Sequence, residues 1–158
     1  MSIEAGTQPY NGRMSDDLLA LENQVCFGLA VAARSVIALY RPVLEPLSLT
    51  HPQYLVMLAL WEREPRSVKD LSDTLALEPA TLSPLLKRLE ATGYVERRRS
   101  AADERALEVR LTESGRALRA EAEKIPPRIV ERLGLPVSEL ENLRESLQTI
   151  IGAAVRTG

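Results

Sequence analysis

Aromatic residues are scarce in this chain and make up 4% of its 158 residues. Sheet-rich folds draw on aromatic and β-branched side chains, whereas the leucine, alanine, glutamate and arginine that abound here favour helix. A single cysteine, Cys26, excludes an intrachain disulfide and leaves no Cys/His spacing for a zinc site. The sequence therefore predicts a mainly α-helical domain, or two small ones that share a core, with no metal and no cofactor.

Targeting segments are also lacking. The N-terminus has no basic stretch followed by an apolar one, which a secretory signal would have. No run approaches the roughly 18 consecutive apolar residues of a membrane span. We therefore expect a cytoplasmic protein with no membrane partner.

Neither sign of charge dominates the chain, but charge is unevenly distributed along it. The net charge of −2 argues against a protein that coats nucleic acid indiscriminately. Residues 87–99 nevertheless hold five basic side chains against two acidic ones, while residues 1–24 hold one basic side chain against four acidic ones. Positive charge is therefore concentrated in one short region, as a local contact with nucleic acid requires.

Apolar residues recur with helical spacing over the first third of the chain. Residues 1–14 lack periodicity and predict a flexible N-terminal arm. From Ser15, a suitable N-cap, steps of three and four predict a long helix that ends near Tyr40, before the next proline. Thr50 then opens a second helix through a capping box with Gln53, and the apolar run that follows predicts a buried strut.

The middle of the chain has the pattern of a winged helix. Two short amphipathic helices, the first capped by Ser67 and the second ending at Gly93, are joined by a tight turn and predict a helix-turn-helix. The period then changes from about 3.6 to 2 on either side of a polar turn near Ala102 and Asp103, which predicts a β-hairpin. A helix-turn-helix followed by a hairpin is the order of elements in a winged helix.

The C-terminal part predicts two more helices and a dimer. Thr112 caps a helix that runs to about Ile125, where two prolines must break or kink it. Ser138 and Glu141 predict a capping box for a last helix with apolar residues spaced alternately three and four. The first helix has a similar stripe, so we expect both ends of the chain to pack together and against a second copy. The predicted regions are a flexible arm (1–14), a helical dimerisation region (15–50 and 112–158) and a winged helix-turn-helix (51–111).

The winged region places polar and basic side chains where such folds contact DNA. The predicted contacts are Thr81, Ser83, Lys87 and Arg88 on the second of the paired helices, and Arg97, Arg98, Arg99, Asp103 and Arg105 in the wing. Asp103 is close enough in sequence to hold the Arg105 guanidinium in a fixed direction, which suits the narrow, electronegative minor groove. The alternatives are that this polar face is only solvated, or that the winged helix binds a protein.

The order of elements and the segment DERALEVRLTESG resemble the MarR family of dimeric winged-helix repressors. The family's wing has an Asp-x-Arg pair, an alternating strand and Leu-Thr-x-x-Gly, which fall here on Asp103, Arg105, Leu111, Thr112 and Gly115. The resemblance covers about residues 18–155. It implies a homodimer that binds double-stranded DNA at an inverted repeat.

Cys26 lies in the stretch ENQVCFGLA, which otherwise has the pattern of an ordinary helix. A free cysteine is often only a small hydrophobe, and no Arg, Lys or His lies within seven residues in sequence to activate the thiol. Tyr40 follows 14 positions later on the same predicted helix, roughly 21 Å away. It could therefore contact the Cys26 of another subunit but not that of its own chain. His51, at the start of the second helix, could face the same interface or be solvated.

The N-terminal third narrows the resemblance to the organic hydroperoxide resistance regulators, the OhrR branch of the MarR family. The branch has Asn-Gln-x-Cys-Phe, Tyr-[Arg/Lys]-Pro-x-Leu and Pro-Gln-Tyr-Leu, which match Asn23, Gln24, Cys26, Phe27, Tyr40, Arg41, Pro42, Leu44 and residues 52–55. This resemblance implies a thiolate that is held by tyrosine hydroxyls of the opposite subunit and oxidised by an organic hydroperoxide to a sulfenic acid. The chain departs from the branch at His51, where a second tyrosine is common, and at Ala30, where an aromatic residue is common.

The resemblance implies a redox-sensing repressor, not an enzyme, that binds operator DNA with Cys26 reduced and is released on its oxidation, derepressing a peroxide-detoxification gene. Without a second cysteine, the chain matches the one-cysteine type, in which a small thiol forms a mixed disulfide with the sensor or the sulfur is oxidised further. Two alternatives stay open. One is a repressor that responds to a small phenolic ligand, with Cys26 structural, and the other is a thiol peroxidase that depends on an outside thiol.

Overall fold

The computed structural model describes residues 17–157, except for the side chain of Thr157. The predicted arm over 1–14 and the predicted N-cap Ser15 lie outside the described residues. The chain divides into two compact units, residues 1–36 and 37–158, and the winged helix lies within the second. The predicted architecture, mainly α with a small β-hairpin wing, is confirmed.

The start of the first helix was predicted wrongly. Helix α1 spans Val25–Leu44, and the described residues before it form turns and a short 3-10 helix at Leu21–Asn23. The Asp17 carboxylate accepts a hydrogen bond from the Leu19 N–H (3.0 Å), and the Asn23 side-chain amide donates to the Asp17 carbonyl (2.7 Å). Bonds between side chains and backbone compete with helical ones, so the apolar spacing ahead of Val25 does not produce a helix.

The end of the first helix was also predicted wrongly. Helix α1 runs past Tyr40 and through Pro42 to Leu44, where a 3-10 turn at Glu45–Leu47 follows. A proline inside a helix removes one N–H donor and crowds the carbonyl four residues earlier. Because only two helical residues follow Pro42, this disruption is confined to the last turn, and the buried Val43 and Leu44 anchor that turn in the core.

Helix α1 and the turn after it form a longer apolar segment than we expected from the sequence. The segment Val25–Leu47 has 23 residues and a mean hydropathy of 1.4, so it has the length and composition of a membrane span, and the expectation that no such run exists was wrong. Only 6% of its most apolar part is buried. One helix of this kind is weak support for a membrane segment, because helices of soluble proteins meet the same criteria.

Helix α2 spans His51–Glu62 and passes through the core of the second unit. Its capping box is confirmed, because the Gln53 N–H donates to the Thr50 hydroxyl (3.5 Å) and the Thr50 N–H donates to the Gln53 side-chain carbonyl (2.9 Å). Six of its residues are buried, and Val56 and Met57 have no exposed surface. The predicted buried strut is therefore present.

The helix-turn-helix consists of α3 (Val68–Leu75) and α4 (Pro79–Thr92). The Ser67 hydroxyl caps α3 by accepting a hydrogen bond from the Asp70 N–H (3.0 Å). Helix α4 ends at Gly93, whose φ of +87° lies in the left-handed region that favours glycine. The core-facing leucines of the two helices form a leucine stripe, with these residues buried: Leu71, Leu82, Leu86 and Leu89.

The wing is a three-stranded antiparallel sheet. Strands β2 (Val95–Arg99) and β3 (Leu107–Leu111) form the predicted hairpin. A strand that was not predicted, β1 (Arg66–Ser67), pairs with the other edge of β3 and gives the order β1-β3-β2. Two residues are too short a run to show the alternation by which strands are recognised in a sequence. Through β1 the start of α3 is attached to the wing.

The helix after the wing is shorter than predicted. Its N-cap is confirmed, because the Thr112 hydroxyl accepts a hydrogen bond from the Gly115 N–H (3.0 Å), but the helix breaks at Leu118. Pro126 and Pro127 do not terminate a helix; they occupy the first turn of a new one, where an N–H group has no helical partner to lose. The helices here are α5 (Glu113–Ala117), α6 (Arg119–Ala122) and α7 (Ile125–Leu133).

The last helix, α8, spans Val137–Thr157. Ser138 lies inside its first turn, so the predicted capping box between Ser138 and Glu141 is wrong. The N–H groups of Glu139 and Leu140 donate instead to the Pro136 carbonyl (3.0 and 3.3 Å). The helix therefore begins on the residue that directly follows a proline.

Gly115 fixes the start of α5 against the wing. Its carbonyl accepts a hydrogen bond from the Trp61 indole N–H (2.9 Å), which joins α5 to α2. A Cβ atom at this position would lie 2.0 Å from the Tyr94 carbonyl oxygen, a backbone atom that cannot move aside without shifting the adjoining β2. Only glycine fits between these two backbones, which gives the glycine of the wing motif a steric reason.

We expect Gly115→Ala to lower the free energy of unfolding by about 1–3 kcal/mol, because the added methyl group must displace packed backbone. Ser114→Ala, one residue earlier on the exposed side of α5, is the matched control and should change it by no more than about 0.5 kcal/mol. Urea denaturation followed by the fluorescence of the single tryptophan measures both values. Equal stabilities for the two variants would contradict the packing account.

Candidate redox site and nucleic-acid interface

Cys26 is the second residue of α1 and is exposed in the first unit. Its apolar neighbours Val25 and Phe27 are exposed as well, to 65% and 38%. Ala30, one turn further along, is also exposed and carries no group that can form a side-chain hydrogen bond. The thiol therefore lies on an uncovered, largely apolar part of the first unit.

Three rings form an aromatic cluster in the second unit. The ring centroids of Tyr40 and His51 are 4.9 Å apart with the planes at 67°, an edge-to-face arrangement that is favourable for such pairs. Tyr54 lies 5.8 Å from Tyr40 and 6.4 Å from His51 between ring centroids. The structure thus brings together the two predicted partners of the sensor and adds Tyr54 to them.

Tyr54 was not predicted as a site residue, although the sequence carries a signal for it. It is the tyrosine of the Pro-Gln-Tyr-Leu segment, and it follows His51 by three residues, so both occupy neighbouring positions on the surface of α2. The apolar run in which it lies is typical of core, and Tyr54 is indeed only 3% exposed. Its burial hides its contact with the two rings from a reading of the sequence alone.

Burial shifts all three rings toward their uncharged forms. It raises the pKa of Tyr40 and lowers the pKa of His51. It also raises the pKa of Tyr54, with a further contribution from the charge of Tyr40. The lowered pKa of His51 favours hydrogen bonding by a neutral imidazole at neutral pH over electrostatic support from an imidazolium.

The predicted DNA contacts on α4 share one exposed surface. Thr81, Ser83, Lys87 and Arg88 are all exposed, while the leucine stripe of the same helix is buried. The two hydroxyls lie in the first turns of α4, and the N-terminal part of a recognition helix is the part that contacts base edges. The two cations lie in its second half. Helix α4 thus presents short polar groups and positive charge on the side away from the core.

Two of the wing arginines are held by neighbouring carboxylates. The Nε and Nη2 atoms of Arg97 donate to the Glu90 carboxylate of α4 at 3.1 and 2.8 Å, and these hydrogen bonds hold the pKa of Glu90 below its usual value. Arg98 forms an ion pair with Glu96 at 3.0 Å. Arg97 therefore joins the wing to α4, and neither side chain is as available for DNA as the sequence suggested.

Arg99 and Arg105 differ from the other wing arginines. They line the same hollow of about 400 Å³, together with Glu104 and Leu107, and neither appears in an ion pair among the residues that the structure describes. The expectation that Asp103 holds the Arg105 guanidinium was wrong, because the Asp103 carboxylate accepts a hydrogen bond from the Arg105 backbone N–H (3.0 Å). Asp103 thus shapes the wing tip, and the Arg105 side chain stays available.

Comparison with known proteins places this arrangement in a family. A profile described as transcriptional regulator SarA/Rot matches residues 38–122. The organic hydroperoxide resistance transcriptional regulator of Bacillus subtilis (strain 168) is 40% identical over 135 residues, which cover 85% of this chain and 92% of that protein. The chain belongs to the MarR family of winged-helix transcriptional regulators. Both matches are described as transcriptional regulators.

Two MarR-family regulators that have been solved on DNA are similar to this chain. Reduced AbfR of Staphylococcus epidermidis bound to DNA has a TM-score of 0.70 and 33% identity, with 85% of this chain and 94% of that chain covered. The repressor CouR of Rhodococcus jostii RHA1, bound to a 23-mer DNA duplex, has a TM-score of 0.77 and 28% identity, with 85% and 97% covered. The resemblance found in the sequence is therefore confirmed.

The division among the wing arginines predicts unequal effects on DNA binding. We expect Arg105→Gln to weaken binding and to reduce the slope of log K against log salt by about 0.9 for each phosphate contact that is lost. Arg98→Gln is the matched control, since it removes a cation that Glu96 already neutralises, and its effect should be smaller. Fluorescence anisotropy of a labelled duplex from about 50 to about 200 mM salt measures both slopes. An equal loss of DNA affinity in the two variants would show that the ion pair with Glu96 does not reduce the contribution of Arg98.

His51 predicts a pH dependence of stability. Because burial lowers its pKa in the folded chain, the unfolded chain binds a proton at this residue first as the pH falls below about 6.5. Stability is therefore highest above that pH and is lost as the pH falls from about 6.5 toward the lowered folded pKa. His51→Gln should flatten the Tm between about pH 7 and about pH 5, as measured by calorimetry. A profile as steep as that of the parent chain would argue against this assignment.

Proposed function

We propose that the chain is a homodimeric redox-sensing repressor, which binds an inverted-repeat operator when Cys26 is reduced and leaves it once an organic hydroperoxide has oxidised that thiol. The observation that carries the proposal is an exposed thiol on α1 and a cluster of uncharged ring donors in a chain 40% identical to an organic hydroperoxide resistance regulator. Release would derepress a peroxide-detoxification gene.

A second copy of the chain is the partner that we assign to the apolar surfaces of α1 and α8. Both helices expose large apolar side chains, among them Phe27, Ile37, Leu143, Ile150 and Ile151. Large exposed apolar side chains concentrated on two helices indicate an interaction site, and homodimers are typical of the family. We therefore propose residues 15–50 and 112–158 as the dimerisation region and 51–111 as the DNA-binding region. This use of α1 agrees with a cytoplasmic regulator and not with a membrane protein.

The sensor pocket that we propose lies between the two subunits. Positions 14 residues apart on a straight helix are separated by about 21 Å, so the Tyr40 that we assign to each Cys26 is that of the other subunit. The Tyr40 hydroxyl and the neutral His51 ring of one subunit would donate hydrogen bonds to the Cys26 thiolate of the other. Tyr54 packs against both rings and restricts their orientation. Ala30 leaves this pocket less crowded than an aromatic residue would.

The proposed chemistry begins with attack of the Cys26 thiolate on the terminal oxygen of a hydroperoxide. The S–O bond forms as the O–O bond breaks, so that sulfur loses two electrons and the alkoxide leaves and takes a proton from water. A small thiol then attacks the sulfenic sulfur, an S–S bond forms, and the hydroxyl group leaves as water with the thiol's proton. The product is a mixed disulfide at Cys26.

Release follows from a change in the spacing of the two winged regions. Recognition helices of a dimer must lie about 34–36 Å apart to enter successive major grooves. A coupling free energy of about 1–3 kcal/mol between thiol and DNA changes affinity by roughly 5- to 150-fold. AbfR has been solved on DNA in an overoxidized form, so we assign release here to the mixed disulfide, whose added group is larger than the oxygens of an overoxidised thiol.

A ligand-responsive repressor is a second candidate. A hollow of about 360 Å³ between α2 and α6 is lined mainly by apolar groups, among them Tyr54, Leu58, Trp61, Ala122 and Pro126. Its volume suits a small aromatic ligand, and CouR has been solved bound to p-coumaroyl-CoA. In this alternative Cys26 is structural, and peroxide leaves the complex with DNA intact.

Cys26→Ser decides between the two candidates. We expect the variant to bind operator DNA like the parent chain but to stay bound after cumene hydroperoxide and a small thiol, because serine cannot be oxidised under these conditions. Gel shift measures binding, and the intact mass of each chain reports whether a thiol adduct has formed.

Three results bear on this proposal directly. A Cys26→Ser variant that is still released by peroxide would contradict it. A parent chain that loses DNA only when a phenolic ligand is added would favour the ligand-responsive repressor. Consumption of many peroxide molecules per chain would identify a thiol peroxidase instead.

A further inference from the structure

Arg66 is a buried cation at the junction of three elements. Only 7% of it is exposed, although it lies in a two-residue strand beside exposed loops. Its Nη1 atom donates to the Thr74 hydroxyl at 3.1 Å, its Nε atom lies 3.5 Å from the Asp70 carboxylate, and its Nη2 atom lies 3.8 Å from the Glu62 carboxylate. The guanidinium therefore contacts the end of α2 and two successive turns of α3.

The backbone of the same residue belongs to the wing. Arg66 pairs with Val109 in the middle of β3, the strand that returns from the wing tip. One residue thus connects the sheet through its backbone and the first helix of the helix-turn-helix through its side chain. The turn that follows α3 is closed by the Ser72 hydroxyl, which donates to the Leu77 carbonyl (2.8 Å), so a rotation of α3 is passed on to α4.

The contacts of Arg66 are a poor source of stability. Removing a guanidinium from water is costly, and apolar residues of similar size often replace buried ion pairs without loss of stability. The Nε atom of Arg66 is buried and lacks a hydrogen-bond partner, so the network is not fully satisfied. A buried charge kept under these conditions is better explained by the orientation that it imposes on its neighbours.

We propose that Arg66 is a positioning residue that fixes the angle between the wing and the helix-turn-helix, so that α4 and Arg105 contact the same DNA molecule together. This inference rests on the proposed function as an operator-binding repressor. Arg66 itself need not contact DNA, since its side chain is covered by α2 and α3. Random DNA is held mainly by phosphate contacts and tolerates a change of angle, whereas an operator that both elements contact does not.

Arg66→Met tests the proposal, because it keeps the length and the apolar stem of the side chain and removes the guanidinium. The probes are a duplex selected by the parent chain from a random-sequence pool and an unselected duplex of equal length. We expect the variant to fold and to bind the selected duplex about tenfold more weakly, as for one lost base contact, with less than about a threefold change on the unselected duplex. Arg66→Lys should restore part of the preference.

Arg63→Met is the matched control. Arg63 donates to the same Asp70 carboxylate at 2.8 Å, but its side chain is 60% exposed and it does not belong to the sheet. The ratio of the two affinities should change by less than about twofold in this variant, since the angle between wing and helices is left intact. A change as large as that in Arg66→Met would mean that any charge lost near Asp70 has this effect, and would overturn the proposal.

The remaining outcomes separate this inference from the proposed function. If Arg66→Met folds and keeps the parent's ratio of affinities for the selected and unselected duplexes, the positioning role is overturned. The proposed function still stands in that case, provided that the parent chain releases DNA on oxidation. If Arg66→Met does not fold, Thr74→Val is the alternative, because it removes the guanidinium's hydrogen bond to α3. It should lower the ratio by a smaller factor, and an unchanged ratio in this variant would also overturn the positioning role. A parent chain that selects no DNA sequence would overturn the proposed function and this inference together.

Discussion

The burial of α2 is the constraint on which the rest of the structure depends. Its first turn carries His51 and Tyr54 into the aromatic cluster, and Glu64 follows shortly after its last turn. The Glu64 carboxylate accepts hydrogen bonds from the Leu111 N–H and from Arg116 Nε, both at 2.6 Å. Burial acts to raise the pKa of Glu64, but these bonds outweigh it and the pKa is lowered. A single rigid helix therefore holds the rings at one end and the wing strand and α5 at the other, and neither end can move without disturbing the core.

Some of the positive charge in the DNA-binding region is paired with carboxylates, and some is not. Glu90 and Glu96 neutralise the arginines nearest the core, so that unpaired positive charge lies at the wing tip and on the outer side of α4. With a net charge of −2, the chain has little general attraction for nucleic acid. Affinity must then come from a few contacts made at the same time, and the relative orientation of the two elements matters more than their total charge.

Local patterns predicted the winged helix well, because each of its boundaries depends on residues close together in sequence. Thr50, Ser67, Thr112 and Gly93 act as caps where the sequence indicates, and β3 buries the alternate residues Val109 and Leu111. The prediction for Ser138 lacked this support, since a potential cap shows neither where the helix begins nor which backbone groups compete for it. Pairing between residues that are distant in sequence, such as that of Arg66 in β1 with Val109, leaves no periodic signal. The roles that we propose for Cys26, Tyr40 and His51 depend on a second chain, which no pattern within one sequence can place.

Because α1 exposes an apolar stripe, the activity of the proposed sensor should depend on protein concentration. A chain that must cover this stripe with a second copy is stabilised by association, so its folding and its dimerisation are linked. In such a dimer each pocket contains groups from both chains, and an isolated chain has neither a complete pocket nor two recognition helices. Dilution would thus remove peroxide sensing and operator binding in the same step. The proposed regulator would therefore need a minimum number of molecules in the cell before it could respond to a hydroperoxide.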